Sequence, residues 1–389
     1  MRIGIEAQRL LRPHKHGMDI VALELIRALQ AIDHDNEYFI FVRPDSDTAC
    51  LTLQANFTLV QLPGMNYVQW EQVALPRALR AYRIDVLHCT ANTGPLLTGV
   101  PVILTLHDLL FMQTPAGVNT ATLYQRLGNR YRALLVRRLV RRCQSILTIS
   151  QFAAQQISRE LNLPAERIRV LYNGVSTRFC EAIPAGQLTR VQQTYQLPPR
   201  YFFFLGSTDP RKNSVNVLNA FIRYGATDPD IQLIVSGKQP SYLKRLLSAD
   251  EFAFVETRCR FIGYVPDDDL PALYTLAETF LFPSLSEGFG LPILEAMACG
   301  TPVITGTLTS MPEVAGNAAV LVDATQPQRI ANAMQRLSQD TVLRQMLIRN
   351  GKERVTQFSW MRTAEQLLAI YKTFAPDTVQ PVPSNFQPI

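Results

Sequence analysis

Short runs of β-branched and aromatic residues alternate along the whole chain with stretches whose apolar positions recur at helical spacing. This is the pattern of parallel sheets covered by helices. In the front half, the runs at 2–5, 38–42, 86–88, 102–106, 145–149 and 168–170 predict strands; in the back half, those at 201–205, 231–235, 259–261, 279–282, 303–304 and 319–322 do. Each half reads as a complete doubly wound domain, 1–185 and 186–359, with the turn-rich stretches CEAIPAGQ (180–187) and LPPR (197–200) as a hinge region. A last helical period covers 360–374. The tail from 375, with Pro376, Pro381, Pro383 and Pro388, has little to bury and is expected to be mobile. Ligands of such sheets bind at the carboxyl ends of the strands, so a substrate is expected in a cleft shared by the two domains.

Length supports this division, because 389 residues at 47% hydrophobic composition exceed what one compact core usually carries. The six cysteines are scattered without CxxC spacing and read as reduced packing residues of a cytoplasmic protein, not as a disulfide or zinc framework. The opening MRIGIEAQRLLRP lacks the apolar core of a signal peptide, and no apolar run approaches the ~20 residues of a membrane span.

Charge adds one feature. The formal net charge of +6 lies wholly in residues 1–185, which carry 20 Lys+Arg against 14 Asp+Glu, whereas 186–389 carry 18 of each. Much of the excess sits in RLGNRYRALLVRRLVRR (126–142), with seven arginines and no acid. Leu127, Tyr131, Leu134, Leu135 and Leu139 recur there at helical spacing, so the stretch reads as an amphipathic helix with a cationic face. Such a face is either solvated or suited to anionic lipid, at the inner side of a membrane, or to a lipid-diphosphate acceptor. Nucleic acid is not expected, since no aromatic interleaving, helix-turn-helix or zinc pattern accompanies the arginines.

The chemistry concentrates in LFPSLSEGFGLPILEAMACGTPVIT (281–305). Glu287 and Glu295 stand with seven residues between them, on either side of an expected helix start, Gly288 and Gly290 let backbone approach a ligand, and Pro292 suits a first helical turn. Helix N-terminal amides favour phosphate and carboxylates accept hydrogen bonds from hydroxyls, so one segment can grip both halves of a sugar joined to a phosphate. A second cluster, STDPRKN, follows the strand at 201–205. Arg211 and Lys212 there offer a planar fork and a mobile point charge to a diphosphate.

These segments, together with YFFFLGSTDPRKNSVNVLNAF (201–221), RCRFIGYVPDDDLPALY (258–274), SMPEVAGNAAVLVD (310–323) and FSWMRTAEQLLAIY (358–371), resemble the retaining, nucleotide-sugar-dependent glycosyltransferases of family four. WEQVALPRAL (70–79), DVLH (85–88), LTLHDL (104–109) and ILTISQFAAQQI (146–157) match in the front half. The resemblance implies the α/β GT-B fold, two Rossmann-like domains facing across a cleft, with a closing helix that crosses back onto the front domain. It implies that Glu287 holds donor-sugar hydroxyls, that amides around Gly288, Phe289, Gly290 and Leu291 meet sugar and phosphate, and that Glu295 binds the ribose. It further implies that Gly263, Tyr264 and Val265 pack on the base through backbone groups, that His107 lies in the cleft near the donor hexose and acceptor, and that Gly17 lies in the loop after the first strand, at the phosphate or acceptor. The alternative for His107 is a satisfied histidine with Asp108 as a helix cap. At His16-Gly17-Met18 the chain has one glycine where many relatives have two.

Two acidic triplets resemble the metal-holding clusters of the other glycosyltransferase architecture. Asp45-Ser46-Asp47 reads as a solvated loop and Asp267-Asp268-Asp269 as a helix N-cap, so neither metal nor cofactor is expected. The expected activity is hexosyl transfer, with GDP-mannose as donor, to a saccharide or lipid-linked saccharide in cell-surface polysaccharide synthesis. The rivals are a UDP-sugar donor, a nucleotide-sugar epimerase, a phosphorylase and a non-catalytic sugar-nucleotide sensor. A nicotinamide dehydrogenase is disfavoured, because no GxGxxG follows either opening strand.

Overall fold

The computed structural model describes residues 1–112, 123–237 and 247–375. The chain forms two compact units: Met1–Gly174 together with the closing helix Trp360–Lys372, and Val175–Ser359.

The first unit is built on seven parallel strands: β1 (Arg2–Glu6), β2 (Glu37–Val42), β3 (Phe57–Gln61), β4 (Val86–Cys89), β5 (Val102–Thr105), β6 (Ser145–Thr148) and β7 (Ile168–Val170), in the order β3-β2-β1-β4-β5-β6-β7. The apolar runs form central strands because both sheet faces are covered and nearly every position is buried. One strand, β3, was not expected from the pattern. It pairs only with β2 and buries Phe57 and Val60 while exposing Thr58 and Gln61, so its half-polar sequence lacks the continuous apolar signature of its neighbours.

The closing helix packs against helix Gly17–Ile32 of the same unit. Tyr371, fully buried, hydrogen-bonds His88 Nδ1 at 2.7 Å, the other ring nitrogen of His88 meets Thr105 Oγ1 at 2.8 Å, and Thr363 donates to the Tyr172 carbonyl at 2.6 Å. Burial pushes the His88 imidazole down to about 3, so it stays neutral in this polar seam.

The second unit carries β8 (Tyr201–Leu205), β9 (Gln232–Ser236), β10 (Cys259–Gly263), β11 (Thr279–Phe282), β12 (Val303–Gly306) and β13 (Val320–Val322), all parallel, in the order β10-β9-β8-β11-β12-β13. Its core joins Phe202, Phe204 and Leu233 of the sheet to Phe221, Met334 and Leu337 of the covering helices. The boundary falls at Gly174/Val175, ahead of the expected 185/186. The turn-rich stretch is tied to the second unit: the Phe179 ring meets Tyr274 edge-on at 6.0 Å, Cys299 Sγ contacts the Phe179 carbonyl, and Arg178 faces Asp267 at 3.8 Å. Of the expected mobile tail, residues from 376 on lie outside the described residues.

Candidate functional site

In each sheet the strand order reverses once, between β1 and β4 and between β8 and β11. The loops leaving the carboxyl ends of two strands diverge at such a point and leave a crevice for a ligand. In the second unit those loops carry both clusters singled out in the sequence.

After β8 the chain runs through Gly206 into the one-turn 3-10 helix Pro210–Lys212. Asp209 caps that turn through the Arg211 amide at 3.0 Å and also grips the Arg211 guanidinium at 2.6 Å. Burial alone would raise the Asp209 carboxyl, but these hydrogen bonds hold it below its usual range. Asn213 ends the turn in a left-handed conformation and starts helix Ser214–Gly225; its side-chain amide donates to the carbonyls of Pro283 (2.9 Å) and Ala324 (2.6 Å). The Leu285 amide in turn donates to the Arg211 carbonyl at 2.7 Å. The β8 and β11 loops are thereby fastened to each other.

This fastening brings Lys212 to Glu287, Nζ to Oε1 at 2.7 Å, with the ammonium also over the Phe282 ring at 5.2 Å. The Glu287 backbone is held by Ser310, whose hydroxyl faces the carbonyls of Glu287 and Phe289, and by Thr309 Oγ1, which accepts from the Glu287 amide at 3.2 Å. Thr309 has φ +58°, an uncommon conformation for a β-branched residue. Gly288 continues the loop, Phe289 is buried edge-on against Phe358, and Gly290, at φ +113°, turns the chain into helix Leu291–Ala298 with Pro292 in its first turn. One turn into that helix stands Glu295, which accepts from the Tyr274 hydroxyl at 3.0 Å. Burial lifts the Glu295 carboxyl to about 7 against the opposing Tyr274 bond.

A third loop follows β10. Gly263 has φ +70° and open space at its α-carbon, Tyr264 is 65% exposed, and Val265 is buried. The Gly237 amide donates to the Gly263 carbonyl at 2.6 Å, and the Gly206 amide donates to Ser236 at 2.8 Å. Gly206, Gly237 and Gly263 thus leave the ends of three adjacent strands without side chains. A Cβ on Gly237, at φ +107°, would collide with the Gly206 carbonyl. Gly206, Gly237, Asp209, Tyr274, Thr309 and Ser310 were not singled out in the sequence reading. A glycine directly after successive strands was the available signal for the first two; the others act through contacts across the fold.

The remaining candidates lie in the first unit. His107 is buried, and its Nε2 faces the Thr90 carbonyl at 2.7 Å, so that nitrogen carries the proton. Burial lowers its basicity. Asp108 Oδ1 accepts from the Leu110 amide at 3.1 Å and caps the short turn Leu110–Met112. Gly17, expected in a loop, is instead the exposed first residue of helix Gly17–Ile32, where His16 is the N-cap and Asp19 accepts from the His16 amide.

The acidic triplets are occupied. Asp47 pairs with Lys15 at 2.5 Å, so the first is not a purely solvated loop. Asp269 stands at the N-cap of helix Leu270–Leu276 but makes no side-chain cap; it binds Arg190 and accepts from Tyr195 at 2.8 Å, because those partners on the neighbouring helix outcompete the local amides. In helix Leu123–Arg142 the expected leucine stripe is split. Leu135, Val136, Leu139 and Val140 are buried, whereas Leu127 (56% exposed) and Leu134 (58%) lie among the exposed Arg130, Arg137, Arg138 and Arg141. Among the described residues, no helix is long and apolar enough to cross a membrane.

Two doubly wound parallel α/β units, with the glycine-rich loop pair at a switch point, define a protein of the GT-B fold class. Known proteins agree. Residues 188–354 match the family model described as glycosyl transferases group 1, and residues 16–179 match glycosyltransferase family 4. O-antigen chain mannosyltransferase B of Escherichia coli is 38% identical over 58% of this chain and 60% of its own length. The serotype-specific mannosyltransferase WbdA of Escherichia coli is 32% identical over 57% and 28%. D-inositol 3-phosphate glycosyltransferase of Salinispora tropica is 31% identical over 81% and 69%. The chain thus spans less than two thirds of both mannosyltransferases. Among solved structures, Anabaena HepE in complex with UDP and glucose has TM-score 0.73 at 18% identity, covering 96% of this chain and all of the other. Sucrose-phosphate synthase from Thermosynechococcus elongatus has 0.71 at 20%, covering 96% and 98%. The chain belongs to the family four glycosyltransferases.

Proposed function

We propose that the protein transfers a hexosyl group, mannose from GDP-mannose, onto a saccharide or lipid-linked saccharide in cell-surface polysaccharide synthesis. The observation that carries this reading is the pairing of Lys212 with Glu287 at the β8/β11 switch point. A diphosphate arriving beside Lys212 and Arg211 would take over their charge from Glu287 and Asp209, leaving Glu287 to accept hydrogen bonds from sugar hydroxyls. The amides from Gly288 to Leu291 open a helix and favour the same anion. Glu295 would take the ribose, and the side-chain-free ends of β8, β9 and β10 would admit the nucleotide.

In the reaction, the bond between the anomeric carbon and the diphosphate oxygen breaks and the acceptor oxygen bonds to that carbon on the same face. The configuration is retained, and the acceptor proton passes to the departing phosphate. Lys212 and Arg211 stabilise the charge that develops on the diphosphate, which makes a metal unnecessary. His107, held neutral and fixed by Thr90, contributes shape and not charge. The mannosyltransferase names of two relatives support the choice of donor. The mixed leucine and arginine surface of helix Leu123–Arg142 supports attachment to an anionic membrane surface from the cytoplasmic side.

A panel of nucleotide sugars tests this reading through thermal stabilisation and slow hydrolysis. GDP-mannose should stabilise the protein and release GDP, with activity unchanged in chelator. A preference for a UDP-sugar would move the assignment to that donor. Stabilisation without turnover in the presence of acceptor extracts would identify a sensor, and no response to any nucleotide sugar would refute the proposal.

A further inference from the structure

The loop leaving the carboxyl end of β12, residues 307–310, holds one residue in a conformation its chemistry disfavours. Six described non-glycine residues have positive φ; three are asparagines, which tolerate the left-handed region, and Thr309, at φ +58°, is the only β-branched one among them. Strain of this kind persists only where the surroundings fix it, and it gathers where geometry serves a function. At Thr309 the surroundings are the loop that carries Glu287. Thr309 Oγ1 accepts from the Glu287 amide at 3.2 Å, and the next residue, the fully buried Ser310, donates its hydroxyl to the carbonyls of Glu287 and Phe289 at 3.0 and 2.8 Å.

Glu287 needs such a hold. Among the described residues its carboxylate has one bond, to Lys212 at 2.7 Å, and the proposed donor divides that pair by drawing the ammonium to its diphosphate. The aim of the carboxylate then depends on its own backbone. Gly288 follows at once and restrains the chain little, so the described bonds from Glu287 backbone to Thr309 and Ser310 carry the restraint. Ser310 shares one hydroxyl proton between two carbonyls, whereas Thr309 alone fixes the amide side.

We infer that Thr309 is a positioning residue: its hydroxyl, presented by a strained backbone, fixes Glu287 so that the carboxylate stays aimed at the hexose after Lys212 turns to the diphosphate. The aim at a hexose rests on the transferase reading above; the hold on the Glu287 amide does not. Three substitutions separate hydroxyl from backbone. Thr309→Gly relieves the left-handed strain and removes the acceptor, Thr309→Val keeps the strain and removes the acceptor, and Thr309→Ser keeps the acceptor. Activity should follow the hydroxyl and stability the backbone. The kcat for GDP-mannose hydrolysis should fall about tenfold in the glycine and valine variants alike and be restored by serine, the scale expected of a misplaced sugar contact. Calorimetry should find GDP affinity within about twofold of the wild type in all three, because GDP lacks the hexose. The melting temperature should be lower for valine than for glycine. In nucleotide-free protein, hydrogen–deuterium exchange at the Glu287 amide should quicken about tenfold in the glycine and valine variants but not in the serine variant. Wild-type turnover in the glycine variant, unchanged exchange at Glu287 in both variants that lack the acceptor, or an equal loss of GDP and GDP-mannose binding would overturn the inference. A wild type that neither binds nor hydrolyses GDP-mannose, with the exchange pattern as expected, would sink the donor assignment and leave the hold on Glu287 standing.

Discussion

Lys212 and Glu287 sit within an ion pair that a diphosphate sugar would have to divide, and that makes each residue separable by kinetics. Lys212→Ala should lower kcat by on the order of 100-fold, the scale of losing one charge-stabilising donor, while the melting temperature moves little. An equal fall in stability would mark Lys212 as structural. Glu295 gives a pH signature. Its carboxyl titrates near 7 in the fold, above the ordinary value of 4.5, so the folded state holds a proton that the unfolded chain has lost. Stability from this group is therefore full below about pH 4.5 and falls as pH rises to about 7, by at most about 3 kcal/mol. Glu295→Gln should flatten thermal stability across that window relative to the wild type; an unchanged slope would show that the carboxyl is not buried as described. The ionised carboxylate is also the better acceptor for ribose hydroxyls, so nucleotide affinity should rise as pH passes through about 7.

At the scale of elements, the site depends on glycines that close strand ends. Gly237→Ala places a Cβ against the Gly206 carbonyl at φ +107°, and should cost about 2 kcal/mol or more, seen as a lower denaturation midpoint. Gly17→Ala, with open space around its α-carbon, should be neutral or slightly stabilising by the same measurement. The two would have to behave alike for the glycine argument to fail. The glycines also show what the sequence could and could not convey. Continuous apolar runs such as YFFFL and TFLF marked buried strands, and the Glu287–Glu295 frame marked the helix start, because each depends on neighbours in the chain. Edge strand β3 was hidden because half its positions face solvent, and the Asp269 cap failed because Arg190 and Tyr195 reach it from 79 and 74 residues away. Tyr274 against Glu295 and Ser310 against Glu287 are likewise products of the fold, with no local pattern to announce them.

Taken as a whole, the molecule divides its chemistry between the units: the cationic surplus lies in residues 1–185, and the loops proposed to bind the donor lie in Val175–Ser359. The exposed arginines and leucines of helix Leu123–Arg142 predict binding to vesicles containing anionic lipid, weakened by salt. Sedimentation should show Arg137→Glu/Arg141→Glu losing that binding while retaining GDP-mannose affinity; undiminished binding would place the contact elsewhere. The central claim concerns the β8/β11 switch point, and a crystal structure with bound GDP-mannose tests it most directly. The account predicts the diphosphate within hydrogen-bond reach of Arg211, Lys212 and the amides at the start of helix Leu291–Ala298, with Glu287 on the hexose and Glu295 on the ribose. A nucleotide sugar bound away from these loops, with the Lys212–Glu287 pair intact, would contradict it.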